Sequence, residues 1–406
     1  MQAEDASVAR AGQGAARRLA FFLSLGGSLG KWQAEGILDR EMLLPLTYLR
    51  LGTFDGIDLF SYRPADAELL ARLRRSEPLY AGVRLLAPPA WLGESRPARL
   101  FHSVFGPFLH RRALANSMVL KTNQVSGAWA AMIAALATGR PLVLRMGYVL
   151  SRRHRLNGNP LGAAIAAAVE WLACRQAASV IVTSEEARAL ISKTAGDAEK
   201  VHLVPTYVDT ALFRAKARYD FTAPILYVGR LTPQKNLAAL VAACGAVGRE
   251  LHLVGIGPQQ AELEQAAQAA GTRVRFLGRV PNERLADMMQ DYTIFALPSL
   301  HEGLPKVLIE AMASGMVCVG TDIPGISDLI ADGRTGYLAA GTSAEAIESA
   351  LRRCLSEMNE SIGRAARAAI EERLSIDSYA RAEGALLLAS IPAQAVPVTA
   401  DGEALN

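Results

Sequence analysis

The sequence predicts an α/β protein made of two domains, each a doubly wound parallel sheet, and three observations predict it. Short apolar runs such as Val180 to Thr183 and Thr293 to Leu297 alternate with longer segments of helical periodicity, as strands buried on both faces alternate with crossover helices. Glycine or polar loops follow the runs, as in Leu25-Gly26-Gly27-Ser28 and Val228-Gly229-Arg230. The rhythm then restarts at Pro224 after a polar stretch, Ala215 to Ala223, which marks a domain boundary.

Composition agrees. The chain has 406 residues, 51% of them apolar and 6% aromatic, enough for two or three cores and not the make-up of a disordered chain. Cys174, Cys244, Cys318 and Cys354 are far apart with no Cys-x-x-Cys, and the six histidines include no His-x-x-x-His. A disulfide framework and a dedicated metal site are therefore not expected. The net charge of +4 is uneven: 26 Lys+Arg stand against 17 Asp+Glu through Ala215, and no acid occurs between Glu94 and Glu170. A basic first half suits an anionic membrane surface or an anionic acceptor, or is a solvated surface without a partner.

Residues 1–15 read as a flexible arm. Arg17-Arg18 before an apolar run imitates a twin-arginine export signal, but the run is short and no small-residue cleavage site follows. A first strand, Leu19 to Leu25, is the better reading. The glycines after it allow a backbone to approach a phosphate closely. Residues 30–80 yield only a strand near Ile57 to Tyr62 and a helix near Ala65 to Leu73. Phe101, Phe105 and Phe108 would share one helix face, although Gly106 and Pro107 weaken that helix. A core-facing segment is favoured there over an interfacial amphipathic one. From Met118 the order is clear: strands at Met118 to Leu120, Pro141 to Leu144, Val180 to Thr183 and Val201 to Pro205, with helices at Ala128 to Ala137, Leu161 to Ala177 and Ser184 to Ser192. No apolar run reaches the roughly 18 residues of a membrane helix.

In the second half, Ile225 to Val228 is a strand, and Gly229-Arg230-Leu231-Thr232-Pro233-Gln234-Lys235 is the loop that follows. Arg offers a planar fork of donors and Lys a point charge, a pair able to hold a diphosphate. Leu251 to Val254 and Val274 to Leu277 are further strands. Thr293 to Leu297 precedes Pro298-Ser299-Leu300-His301-Glu302-Gly303-Leu304-Pro305, and Pro305 is placed to start a helix carrying Glu310. Such a helix start attracts phosphate through its dipole and unpaired N–H groups, and carboxylates accept from sugar hydroxyls. Phosphate and polyol together suggest a nucleotide sugar.

Glu302 and Glu310, with the preceding Pro-Ser and the following Ala-Met-Ala-Ser-Gly, closely resemble the signature of retaining glycosyltransferases of family 4, the group 1 type. Gly229-Arg230 and Lys235 match the same family's Gly-Arg-x4-Lys motif. The resemblance implies the GT-B fold, two Rossmann-like doubly wound domains facing each other across a cleft. The expected division is 16–215 for an acceptor-side domain, 220–374 for a nucleotide-sugar domain, 375–390 for a helix crossing back and 391–406 for a disordered tail. It implies Glu302, Arg230 and Lys235 as catalytic residues. Glu310, Gly303, Leu304, Pro305, Gly229, Gly27, Arg279 and Val280 are expected on the donor, and Lys121, Asn123, Arg145 and Gly147 on the acceptor side. Arg145-Met146-Gly147 stands where the family often has His-Gly, and Pro205-Thr206-Tyr207-Val208-Asp209 where it often has Pro-Asn-Gly-Val-Asp. The implied activity is retaining transfer of a hexose from a nucleotide sugar to a glycan or lipid-linked acceptor, in surface polysaccharide or glycolipid assembly. No metal or other cofactor and no nucleic acid are expected. The implied place is the cytoplasm, as a peripheral protein at the inner membrane face. A non-catalytic nucleotide-sugar-binding protein and a related epimerase or phosphorylase are the alternatives.

Overall fold

The computed structural model describes residues 16–147, 149–156 and 158–392. The expected N-terminal arm, and the expected tail beyond Pro392, lie outside the described residues. The chain divides into two compact units. One runs to Val204 and resumes at Ala380; the other is Pro205–Tyr379.

The first unit is a seven-stranded sheet in the order β3-β2-β1-β4-β5-β6-β7. Its strands are β1 Arg18–Phe22, β2 Gly56–Phe60, β3 Val83–Leu86, β4 Val119–Thr122, β5 Leu142–Met146, β6 Ser179–Val182 and β7 Val201–Leu203. Every pairing is parallel. Nearly all strand residues are buried because helices cover both faces. Asp58, fully buried within β2, is held by Arg18 from β1 at 2.7 Å and by Arg84 from β3 at 2.6 Å, as a buried charge requires.

The second unit is a six-stranded parallel sheet in the order β10-β9-β8-β11-β12-β13. Its strands are β8 Ile225–Val228, β9 Leu251–Val254, β10 Val274–Gly278, β11 Ile294–Leu297, β12 Val317–Thr321 and β13 Tyr337–Ala339. One core runs through it, with Leu226, Phe295, Leu297, Leu308 and Ile309 at its centre. Both sheets are doubly wound, with the strand order reversing between β1 and β4 and between β8 and β11.

Five expectations change. The first strand ends at Phe22, not Leu25, because Ser24 turns the chain by accepting the Gly27 N–H at 2.7 Å. Residues 30–80 also hold helices Leu29–Ala34 and Leu38–Arg50. The second hides Pro45 in its interior and has no side-chain cap, so its start lacks a capping residue and its middle carries a breaker, although Arg50 and the left-handed Gly52 mark its end. Gly106 and Pro107 do not break their segment, which is the helix Arg96–Leu109. Its phenylalanines do not face the core: Phe101, Phe105 and Phe108 are 46%, 51% and 57% exposed. Finally, the units divide at Val204 and Pro205, upstream of the polar stretch at 215–223. The intervening segment is tied to the second unit: the Arg367 guanidinium donates to the Thr210 carbonyl at 3.0 Å, and the Lys216 N–H to that of Ser314 at 3.0 Å.

Candidate active site

The loops after β8 and β11 emerge side by side where the second sheet's strand order reverses, the position at which doubly wound sheets bind ligands. Backbone and amide groups tie them together. The Leu300 N–H donates to the Gln234 carbonyl at 2.9 Å, and the Gln234 Nε2 donates to the His301 carbonyl at 2.9 Å.

This places Lys235 against Glu302. The Nζ donates to Oε1, and the two side chains are 14% and 9% exposed. The fully buried Ser299 donates its hydroxyl to the same oxygen at 2.7 Å, and its own carbonyl is held by the Thr321 hydroxyl at 2.7 Å. Arg230 is exposed on the same loop, and the Tyr227 hydroxyl donates to its carbonyl at 3.1 Å. Burial first, and the negative charge of Glu302 second, keep that phenol protonated far above the usual range.

Pro305 precedes the helix Lys306–Ala313 as its cap and is not its first residue. Its φ of −73° suits a helix but its ψ of 103° is extended, and its carbonyl accepts the Leu308 N–H at 3.0 Å. No side chain caps this helix end. Glu310 is one turn further, 7% exposed, with the Lys306 Nζ at 3.9 Å. Gly303 is exposed and Leu304 half-buried between the two glutamates. Three glycines let the loops pack backbone to backbone. A Cβ on Gly255 would lie 1.8 Å from the Gly229 carbonyl oxygen, one on Gly257 2.2 Å from that of Leu231, and one on Gly325 2.2 Å from that of Gly303. Arg279 is exposed and Val280 half-buried after the edge strand β10, two strands from β8.

The residues assigned from the first unit fare differently. The helix that follows Gly27, Leu29–Ala34, has its end occupied by the chain itself. Asp66 accepts the Leu29 and Gly30 N–H groups at 2.9 Å each, and the Ser28 hydroxyl accepts that of Lys31 at 3.0 Å. This anion position is therefore taken by a buried carboxylate, which the Ser61 hydroxyl also contacts. Lys121 does not face an acceptor either. It is fully buried, with Nζ 3.4 Å from Glu383 on the last helix, Ile376–Ala389, and 4.6 Å from the Phe21 ring centroid. Burial pushes its pKa down to about 8, with Glu383 opposing and Arg145 adding to the fall. Arg145 Nε is 3.9 Å from the same carboxylate, and its side chain is 12% exposed. Asn123 is half-buried, its amide 3.3 Å from Glu41, and the Gly147 N–H donates to Gln124 at 3.2 Å.

Sequence reading placed Ser299 in the motif but gave it no role, and missed Asp66 and Glu383. The Ser-x-x-Glu spacing of Ser299 and Glu302 carried a local signal; the other two act over 36 and 262 residues and carried none. Among the described residues no group of three or more His, Cys, Asp or Glu is placed to hold a metal ion, and no helix is long and apolar enough to cross a membrane. All four cysteines are buried and unpaired.

Two family models match. One described as glycosyl transferases group 1 covers residues 209–370, and one described as Glycosyltransferase Family 4 covers residues 58–212. Over 216 residues the chain is 32% identical to alpha-maltose-1-phosphate synthase of Mycolicibacterium smegmatis, which is 47% of this chain and 56% of that one. Over 182 residues it is 33% identical to D-inositol 3-phosphate glycosyltransferase of Nocardia farcinica, 39% of this chain and 40% of that one. The chain spans about half the length of the curated relatives it matches. Among solved structures, HepE of Anabaena in complex with UDP is similar with a TM-score of 0.63 at 19% identity, over 92% of this chain and 100% of that one. The fold is thus GT-B, with both of its parallel-sheet α/β domains present.

Proposed function

The chain belongs to the group 1 glycosyltransferases of family 4, and we propose that it moves a hexose from a nucleotide sugar to a glycan or lipid-linked acceptor with retention at the anomeric carbon. One observation carries this reading: at the switch point of the second sheet Arg230, Lys235 and Glu302 stand on adjoining loops, and Glu310 on the helix that follows one of them. The cations meet the donor diphosphate and offset the charge that grows on it as the glycosidic bond breaks. The uncapped end of the helix Lys306–Ala313 adds its dipole. Glu310 accepts from the ribose hydroxyls, with Arg279 and Val280 toward the base. Glu302, held by Lys235 and Ser299, orients the transferred sugar.

The acceptor oxygen attacks the anomeric carbon on the face the diphosphate leaves. The bond to the leaving oxygen breaks with its electron pair, and that phosphate takes the acceptor proton. No metal is assigned a part. The acceptor meets the first unit near Asn123, Arg145 and Gly147. The excess of cations in the first half supports an anionic acceptor or membrane, and surface polysaccharide or glycolipid assembly at the inner face of the cytoplasmic membrane is the proposed setting.

Thermal denaturation against UDP-, GDP-, ADP- and CDP-sugars tests the donor site. A ligand at about a hundred times its Kd adds about 2.7 kcal/mol. One nucleotide should stabilise the wild type and not Glu310→Ala. A protein that no nucleotide stabilises, and that never hydrolyses or transfers a donor, would overturn the reading.

A further inference from the structure

The helix Arg96–Leu109 is inside out for a water-facing surface. Its buried side is small or polar: Ala98, Ser103 and Gly106, with His102 and Pro107. Its exposed side carries Leu100, Phe101, Phe105, Phe108 and Leu109, and Trp91 lies just upstream, 78% exposed. Phe101 and Phe105 stack on each other at 4.5 Å. The helix has no freedom to roll these groups inward. A Cβ on Gly106 would lie 2.7 Å from both Phe60 and His102, and the Trp129 indole N–H donates to the Ser103 hydroxyl at 2.9 Å. In the same unit the helix Asp66–Ser76 shows the usual arrangement, burying Leu69 and Leu70 while Glu68, Arg72 and Arg75 face water.

Charge identifies what covers the stripe. Arg96 opens the helix, and Arg111 and Arg112 follow it, all exposed. No acid occurs between Glu94 and Glu170; Glu94 lies 3.4 Å from Arg63, and Glu170 is buried, accepting the Ser151 N–H at 3.1 Å. A second copy packed on this face about a two-fold axis would bring Arg96, Arg111 and Arg112 toward another basic face, with Glu94, already 3.4 Å from Arg63, the acid next to them in sequence. An anionic bilayer offers acyl chains to the aromatic and leucine side chains and phosphates to the arginines.

We propose that the exposed face of Arg96–Leu109, with Trp91, is the surface by which this protein docks on a bilayer rich in anionic phospholipid. This rests on the reading of the chain as a membrane-face transferase and names the surface responsible. The docking is interfacial: phenylalanines enter the headgroup boundary while the arginines stay at the phosphates.

The test is co-sedimentation of the full chain with phosphatidylcholine vesicles, with and without phosphatidylglycerol. Wild type should bind the mixed vesicles and release as salt rises. Phe101→Ser with Phe105→Ser and Phe108→Ser should lower partitioning about ten-fold or more, and Arg96→Glu with Arg112→Glu should abolish the preference for the anionic lipid. Both variants should keep the wild-type melting temperature and donor-induced stabilisation, which excludes misfolding. A wild type that ignores the mixed vesicles overturns the membrane reading and this inference with it, while leaving donor binding intact. Binding that survives the triple substitution overturns the assignment of the surface alone. A wild-type dimer that the triple substitution dissociates, without vesicle binding, also overturns it.

Discussion

The two units open with the same device and use it oppositely. In each, the first strand of a doubly wound sheet runs through a glycine loop into a helix beside the switch point. After β1 that helix end is filled by Asp66, which accepts the Leu29 and Gly30 N–H groups, while the Ser28 hydroxyl accepts that of Lys31. After β8 the following helix, Leu237–Ala246, has no side-chain cap, and its loop carries the exposed Arg230 and sets Lys235 against Glu302. Topology supplies two equivalent helix ends; loop chemistry satisfies one internally and leaves the other without a side-chain cap. The proposed function rests on that difference and not on the shared fold.

The comparison is broken most forcefully by exchanging lysines. Lys235→Ala should lower kcat/KM about a thousand-fold, since a charge aimed at the leaving group is worth several kcal/mol. Lys31→Ala, at the matching place in the first unit, should change it less than about two-fold, because Lys31 is an exposed side chain 4.0 Å from Glu35. Initial rates of sugar transfer measure both. Equal losses would mean that the first unit also holds the diphosphate.

Stability should show the reverse. Asp66→Ala strands two backbone donors and the Ser61 hydroxyl around a site 1% exposed, at a cost of about 3 kcal/mol. The melting temperature should fall while donor-induced stabilisation persists. Loss of donor affinity in a folded Asp66→Ala protein would contradict the division of roles.

What the sequence revealed follows the same division. The second unit was legible because its site is made from local segments: strand, loop and helix start are contiguous at Ile225 to Lys235 and at Ile294 to Glu310. The first unit was not, because its polar groups are answered from afar. Nothing near Lys121 announces Glu383, and nothing near Gly27 announces Asp66. Gly106 looked like a helix breaker because its requirement is a close approach to Phe60 and His102, a tertiary fact. The exposed phenylalanines looked buried because hydrophobic periodicity reports a stripe, not which way it faces.

Acid should weaken the first unit through His102. This ring is 1% exposed and stacks on Phe60 at 4.7 Å. Burial, then the neighbouring His110, depresses its pKa from 6.5 to about 4. Between those values the unfolded chain binds a proton that the folded protein excludes. Its contribution is therefore complete above pH 6.5 and is lost as pH falls toward 4, about 2–3 kcal/mol in all. His102→Gln should flatten the fall in melting temperature across that window. An unchanged slope would move the acid sensitivity to other groups.

The smallest effect is the sharpest probe of the loops themselves. Gly325 has φ of +84°, and a Cβ there would sit 2.2 Å from the Gly303 carbonyl oxygen and 3.0 Å from that of Glu302. Alanine is disfavoured at this φ by about 1 kcal/mol, and relief of the contact shifts the Gly325 backbone against that of Glu302 and Gly303. Gly325→Ala should therefore lower kcat/KM about ten-fold, since misplacing a positioned group costs rate before it costs the fold. Gly27→Ala meets a similar obstacle, a Cβ 2.9 Å from the Ser24 carbonyl oxygen, but it disturbs a helix end already occupied by Asp66. It should lower the melting temperature and leave the donor KM unchanged. If Gly27→Ala raised the donor KM and Gly325→Ala did not, the glycine loop of the first unit would be the one that touches the donor, and the two units would have to exchange the roles assigned to them.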